Sequence, residues 1–163
     1  MKSALALATG LALALAPAAH AQVACSEIDR VSKSAADDFK DIKGPETEDD
    51  LFRSKFSLLG AKECTLEYSF DTTYACLWTY PTEEAASAAY NAQVVAVGGC
   101  LPTWERRDDN DSGNFSDGLR FVRGLYFAGA EEQSDLEWGV AMEERKTARE
   151  ADWRLRISLA RLK

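Results

Sequence analysis

The sequence predicts an α+β fold: an antiparallel sheet of about five strands, ordered ββαβββ after an N-terminal helix, with two helices packed on one face and two disulfides. Five stretches alternate apolar and polar side chains with the period of a half-buried strand. A single helical pattern separates the second stretch from the third, and the last three follow one another with no helix between them. Such an order points to antiparallel pairing, because parallel neighbours need long crossover connections.

Residues 1–21 read as a signal peptide. Lys2 opens a short basic start, Leu5 to Leu15 form an apolar run, Pro17 breaks it, and Ala19-His20-Ala21 supplies a small-x-small cleavage site before Gln22. What remains, residues 22–163, is expected to be one disulfide-stapled domain, periplasmic or secreted. The only histidine, His20, leaves with the leader. A mature chain without imidazole is excluded from Ser-His-Asp and Cys-His catalysis and from histidine-ligated zinc or iron. No later stretch approaches the roughly 20 apolar residues of a membrane span. Lipidation at Cys25 is disfavoured, because Gln22 stands where an aliphatic residue is expected three positions before the cysteine.

In the first helical pattern, Ile28, Val31, Ala35, Phe39 and Ile42 recur at spacings of three and four, Ser26 and Asp29 form a box-like cap, and Gly44-Pro45 is the stop. Thr47 to Leu59 fits a short helix or the start of a strand equally well. Cys64, Leu66, Tyr68 and Phe70 then alternate with polar residues, a turn falls around Asp71-Thr72, and Tyr74, Cys76, Trp78 and Tyr80 repeat the pattern. This is a hairpin with both cysteines and Phe70 on the core face. The second helix starts at Thr82 as cap, with Glu83 and Glu84 at the positive end of the helix dipole. Ala86, Tyr90, Gln93, Val94 and Val97 form its inner face, and Gly98-Gly99 is its stop. Arg106 to Gly118 is too polar to join a core and reads as an exposed loop. The strands Leu119 to Phe127, Leu136 to Glu143 and Trp153 to Leu162 complete the chain, with Leu136, Trp138, Val140, Met142, Trp153, Leu155, Ile157 and Leu159 inward.

Four cysteines in an exported chain read as two disulfides, and spacing alone allows three connectivities. If the second helix runs back along the strand before it, Cys76 meets Cys100 and Cys25 is left for Cys64, which is the preferred pairing. Loss of Lys2 leaves 18 basic against 27 acidic side chains, a net charge near −9. That surface disfavours nucleic acid and anionic membrane and suits a basic protein partner or a cation.

Two motifs carry chemistry. Asp108, Asn110, Ser112 and Ser116 take positions 1, 3, 5 and 9 of a stretch that resembles the first half of an EF-hand calcium loop, with Gly113 at the turn position, but Leu119 stands where the bidentate glutamate belongs. Calcium is the only cofactor the sequence raises. On the strands, Glu63, Glu67, Glu137 and Glu143 are the carboxylates from which a hydrolase pair would be drawn, with Arg154 and Arg156 as cross-strand partners. Neither S-x-x-K nor G-x-S-x-G is present. Trp104, Arg106, Arg107 and Phe115 gather the aromatic and guanidinium groups typical of a protein contact. The sequence therefore predicts a small exported, non-enzymatic binding domain, of inhibitor, immunity or envelope-accessory type, whose partner is another protein. A calcium-binding protein and a carboxylate hydrolase are the alternatives.

Overall fold

The computed structural model describes residues 22–109, 118–146 and 151–163. Two antiparallel meanders lie side by side in it. β1 (Lys43–Glu48), β2 (Leu51–Ser54), β3 (Glu63–Glu67) and β4 (Thr72–Tyr80) form one, and β5 (Glu105–Asp109), β6 (Leu119–Ala128), β7 (Leu136–Lys146) and β8 (Ala151–Arg161) form the other. Pairing of β4 with β8 joins them into one sheet of order β1-β2-β3-β4-β8-β7-β6-β5. α2 (Glu83–Cys100) carries the chain from β4 at the centre to β5 at the far edge, and α1 (Cys25–Ala35) packs beside it. The fold is the expected antiparallel α+β type with two helices and two disulfides, but its sheet has eight strands rather than about five.

Alternation built the centre of this sheet. Cys76, Ile157, Val140 and Leu125 are successive register partners across β4, β8, β7 and β6, and Tyr74, Leu159, Trp138 and Phe127 make the next row. All eight are buried beneath the helices. A fully buried aliphatic or phenyl side chain in such a row stabilises the fold by about 1.5–3 kcal/mol.

The three additional strands are β1, β2 and β5, which lie at the sheet's margins. β5 reads Glu-Arg-Arg-Asp-Asp and buries almost nothing; it exists because its backbone pairs with β6 from Glu105↔Ala128 to Asp109↔Gly124. The first part of the expected exposed loop, Arg106 to Asp109, is therefore strand, and 110–117 lie outside the described residues. Charge on β5, and Pro45 with two register shifts on β1, blunt both outer edges against pairing with other chains.

Helix ends also moved. Ala24, not Ser26, caps α1, and its N–H donates to Glu27 at 2.8 Å. The helix stops at Ala35, well before Gly44-Pro45, because Asp38 and Phe39 take the left-handed conformation (φ 50° and 58°) and the Arg161 guanidinium donates to the Ala35 and Ala36 carbonyls at the negative helix end. Phe39 and Ile42 are still buried, delivered by the turn rather than by helical spacing. Gly44 lies in β1, where a Cβ would meet the Arg53 carbonyl oxygen at 2.3 Å. Thr82 caps α2 as expected, its hydroxyl accepting the Ala85 N–H at 3.2 Å. α2 runs through Gly98-Gly99 to Cys100; Gly98 serves as a contact, with room for the Phe127 ring.

The preferred cysteine pairing is corrected. Cys64 and Cys76 face each other directly across β3 and β4 and are bonded to one another, while Cys25 at the start of α1 is bonded to Cys100 at the end of α2. The Val23 N–H donates to Gln93 beside this second bridge, at 3.1 Å, so the first described residues are held to α2 twice. Two disulfides suit an oxidising, exported location. The expected signal peptide, 1–21, lies outside the described residues. Among those described, no helix is long and apolar enough to cross a membrane.

Candidate binding surface

Of the residues singled out in the sequence, Trp104, Arg106, Arg107 and Asp108 are among those described. Trp104 is half-buried against the hydrophobic core. Arg106 and Arg107 alternate to opposite faces of β5, and each pairs with its own strand neighbour, Arg106 with Asp108 at 3.4 Å and Arg107 with Glu105 at 3.1 Å. Phe115 lies outside the described residues, as do Asn110, Ser112 and Ser116 of the calcium-like motif. Asp108, the first position of that motif, sits in β5 facing Arg106. Among the described residues no group of three metal-capable side chains converges.

The strand carboxylates are on the helix-free face, as alternation requires, and Glu143 pairs with Arg156 at 2.6 Å. Register keeps them apart. Glu137 and Glu143 are six residues apart on one strand, ~20 Å, and Glu67 is three strand spacings from Glu137, ~14 Å. The two-carboxylate mechanisms of glycoside hydrolysis use carboxyl separations of about 5–9.5 Å, and the backbone spacings of these two pairs are wider.

The topology sorts charge between the two ends of the sheet. At one end, where β7 finishes and β8 begins, five cationic side chains meet three carboxylates. Arg120 and Lys146 lie 2.5 and 2.9 Å from Glu144, Arg145 lies 2.9 Å and Arg154 3.8 Å from Asp152, and Arg156 holds Glu143. Glu144 is only 5% exposed. Hydrogen bonds from Lys146 and then Arg120 hold its carboxyl below the ordinary value of 4.5. The folded state therefore binds fewer protons at this group than the unfolded chain. Its stabilisation is complete above the unfolded pKa and is lost as pH falls through the lower folded one. Thermal melts taken from neutral to acid pH should show Glu144→Gln flattening the fall in stability below about pH 4.5. An unchanged acid slope would show that this carboxylate is not held by its two cations.

The other end is acidic and carries the most exposed apolar group among the described residues. β3 stops at Glu67, so Phe70, expected on the core face, instead occupies the β3–β4 turn and is 92% exposed. At the same end are Glu67, the last residue of β3, Asp71 of the same turn, Glu48, the last residue of β1, and Asp49 and Asp50 of the β1–β2 turn, which the Tyr68 N–H ties to the β3–β4 turn through the Asp50 carbonyl at 2.9 Å. Leu162, 43% exposed, follows the β8 register partner of Thr72, and the Lys163 N–H donates to Asp71 at 3.1 Å.

Below its tip this hairpin is firmly built. The Cys64–Cys76 bridge spans its two strands, and the Tyr68 hydroxyl donates to the Asp38 carbonyl at 2.7 Å. Tyr68 also meets Phe52 edge-on at 5.4 Å, with the Lys43 ammonium over both rings. No signal in the alternation separates Phe70 from Leu66; only the position of the turn does. A polar groove of about 450 Å³ lies elsewhere, between α1 and the β6–β7 connection, lined by Asp29, Lys33, Glu132, Asp135 and Arg161 among others. Arg161 is already committed there to Asp38 and Asp135. No protein-family model, curated protein or solved structure matches this chain.

Proposed function

We propose that the protein is a small exported binding domain without catalytic activity, of inhibitor, immunity or envelope-accessory type, and that it engages another protein through the turn carrying Phe70. One observation supports this above the others: an almost fully exposed phenylalanine at the tip of a disulfide-bridged hairpin. Isolated exposed apolar residues are ordinary on protein surfaces. Phe70 differs in its setting, because an aromatic ring on a rigid support loses little conformational freedom on docking, and aromatic anchors of this kind dominate contact energies. The blunted edges of β1 and β5 make strand addition a poor second route.

The test is isolation of a stoichiometric complex from envelope and secreted extracts with the oxidised protein as bait, followed by its reconstitution from purified components. Phe70→Ser should lower affinity by about 2 kcal/mol or more, the size of an anchor loss, with an unchanged melting temperature. A complex that forms equally well with Phe70→Ser refutes this site.

A further inference from the structure

We infer that the surface recognised by this protein is cationic and encloses an apolar socket, an inference that rests on Phe70 being the docking group. The five carboxylates of Glu48, Asp49, Asp50, Glu67 and Asp71 lie in or next to two adjacent turns, one of which carries Phe70. None of them takes part in a side-chain ion pair among the described residues, whereas Glu143, Glu144 and Asp152 at the opposite end of the sheet are each held by a cation. Five carboxylates about an apolar anchor, with Lys163 beside Asp71 as the adjoining cation, leave a net negative charge that raises the encounter rate with an oppositely charged partner and repels like-charged surfaces. It also argues against a bilayer. Phe70 could enter an acyl layer only by carrying its carboxylates to the headgroups, where an anionic leaflet repels them.

The inference is tested with fluorescently labelled synthetic peptides in three designs: lysine and arginine flanking leucine and tryptophan, the same cations with serine in place of the apolar residues, and glutamate flanking the apolar residues. Binding to the oxidised protein is read by anisotropy at about 20 and 200 mM salt, between which the screening length falls from ~20 to ~7 Å. The cationic-apolar peptide should bind best. Its affinity should fall about tenfold or more at the higher salt, and again on Phe70→Ser or on Asp49→Lys with Asp50→Lys, within the range that steering charges cover.

If Phe70→Ser weakens binding while charge reversal does not, or if the acidic peptide binds as well, the cationic partner is refuted and the Phe70 anchor stands. If the cation-serine peptide binds as well as the cationic-apolar one, the socket is refuted. Phe70-dependent binding to phosphatidylcholine vesicles with no peptide preference overturns the inference in favour of a lipid surface. Binding indifferent to every substitution, or no binding to any peptide, overturns it as well. All the substituted side chains are exposed; Asp50 has left-handed backbone (φ 60°), which lysine tolerates less well than aspartate, so Asp49→Lys alone serves as the charge reversal if the double variant melts lower.

Discussion

Trp138→Ala should cost about 3–5 kcal/mol of folding stability, the usual range for emptying a tryptophan site in a core. Trp138 is completely buried on β7, flanked in register by Phe127 of β6 and Leu159 of β8. Its indole N–H crosses to α1 and donates to the Ser32 hydroxyl at 3.0 Å, a contact between residues 106 positions apart. One side chain therefore joins the centre of the sheet to a helix that otherwise reaches it through few elements. Truncation leaves a cavity whose walls are backbone-paired strands that have little freedom to collapse. Against a total stability of about 5–15 kcal/mol for a domain of ordinary size, the loss takes about a fifth or more.

Urea titration should show the midpoint falling at constant slope, since the surface exposed on unfolding changes little. Trp138→Phe separates the two contributions. It keeps most of the apolar contact and loses the bond to Ser32, for a cost nearer 1 kcal/mol from the hydrogen bond. Val95→Ala on the outer face of α2, where the side chain is largely exposed, should leave the midpoint in place. A loss below about 1 kcal/mol for Trp138→Ala would mean that the indole does not hold the two layers together.

The parts of this architecture legible in the sequence are those where one side of an element is dry. β3, β4, β6, β7 and β8 each bury alternate residues beneath the helices, so Leu66, Tyr74, Leu125, Val140 and Ile157 announce their strands. β1, β2 and β5 are held by backbone pairing to a neighbour. Their side chains follow no hydrophobic period, so Glu105 to Asp109 looks like loop until its partner β6 is known. The end of α1 was hidden for a related reason. Phe39 and Ile42 continue the helical spacing, but the helix is stopped by left-handed backbone at Asp38 and by a guanidinium from Arg161, a residue 126 positions from Ala35. Phe70 shows the cost of extending a good pattern by one step. Its spacing from Leu66 and Tyr68 is that of an inward residue, and only the turn, one residue earlier than expected, sends it outward.

Removing the bridge between Cys25 and Cys100 should destabilise the protein more than removing the one between Cys64 and Cys76. The two close loops of sequence separation 75 and 12. In the chain-entropy view, the longer cross-link denies the unfolded ensemble more conformations, worth about 4.5 kcal/mol against about 3 kcal/mol for the shorter. The pairing behind this prediction was available in the hairpin itself. Cys64 and Cys76 are equidistant from Phe70, so a turn centred there sets them opposite one another, and Cys25 and Cys100 remain for each other. The expected proximity of Cys76 to Cys100 failed because α2 crosses β4, β8 and β7 instead of retracing β4 alone.

Non-reducing digestion should yield one peptide containing Cys25 linked to one containing Cys100; a Cys25–Cys64 peptide would overturn the pairing. The two double serine variants should also differ in function. Without Cys25–Cys100 the protein melts earlier, but the β3–β4 hairpin keeps its own bridge, so below the lowered melting temperature Phe70-dependent binding should persist. Without Cys64–Cys76 the smaller loss of stability falls beneath the anchor, and affinity should drop while most of the fold remains. Equal loss of binding in both variants would show that the hairpin's rigidity is not what presents Phe70.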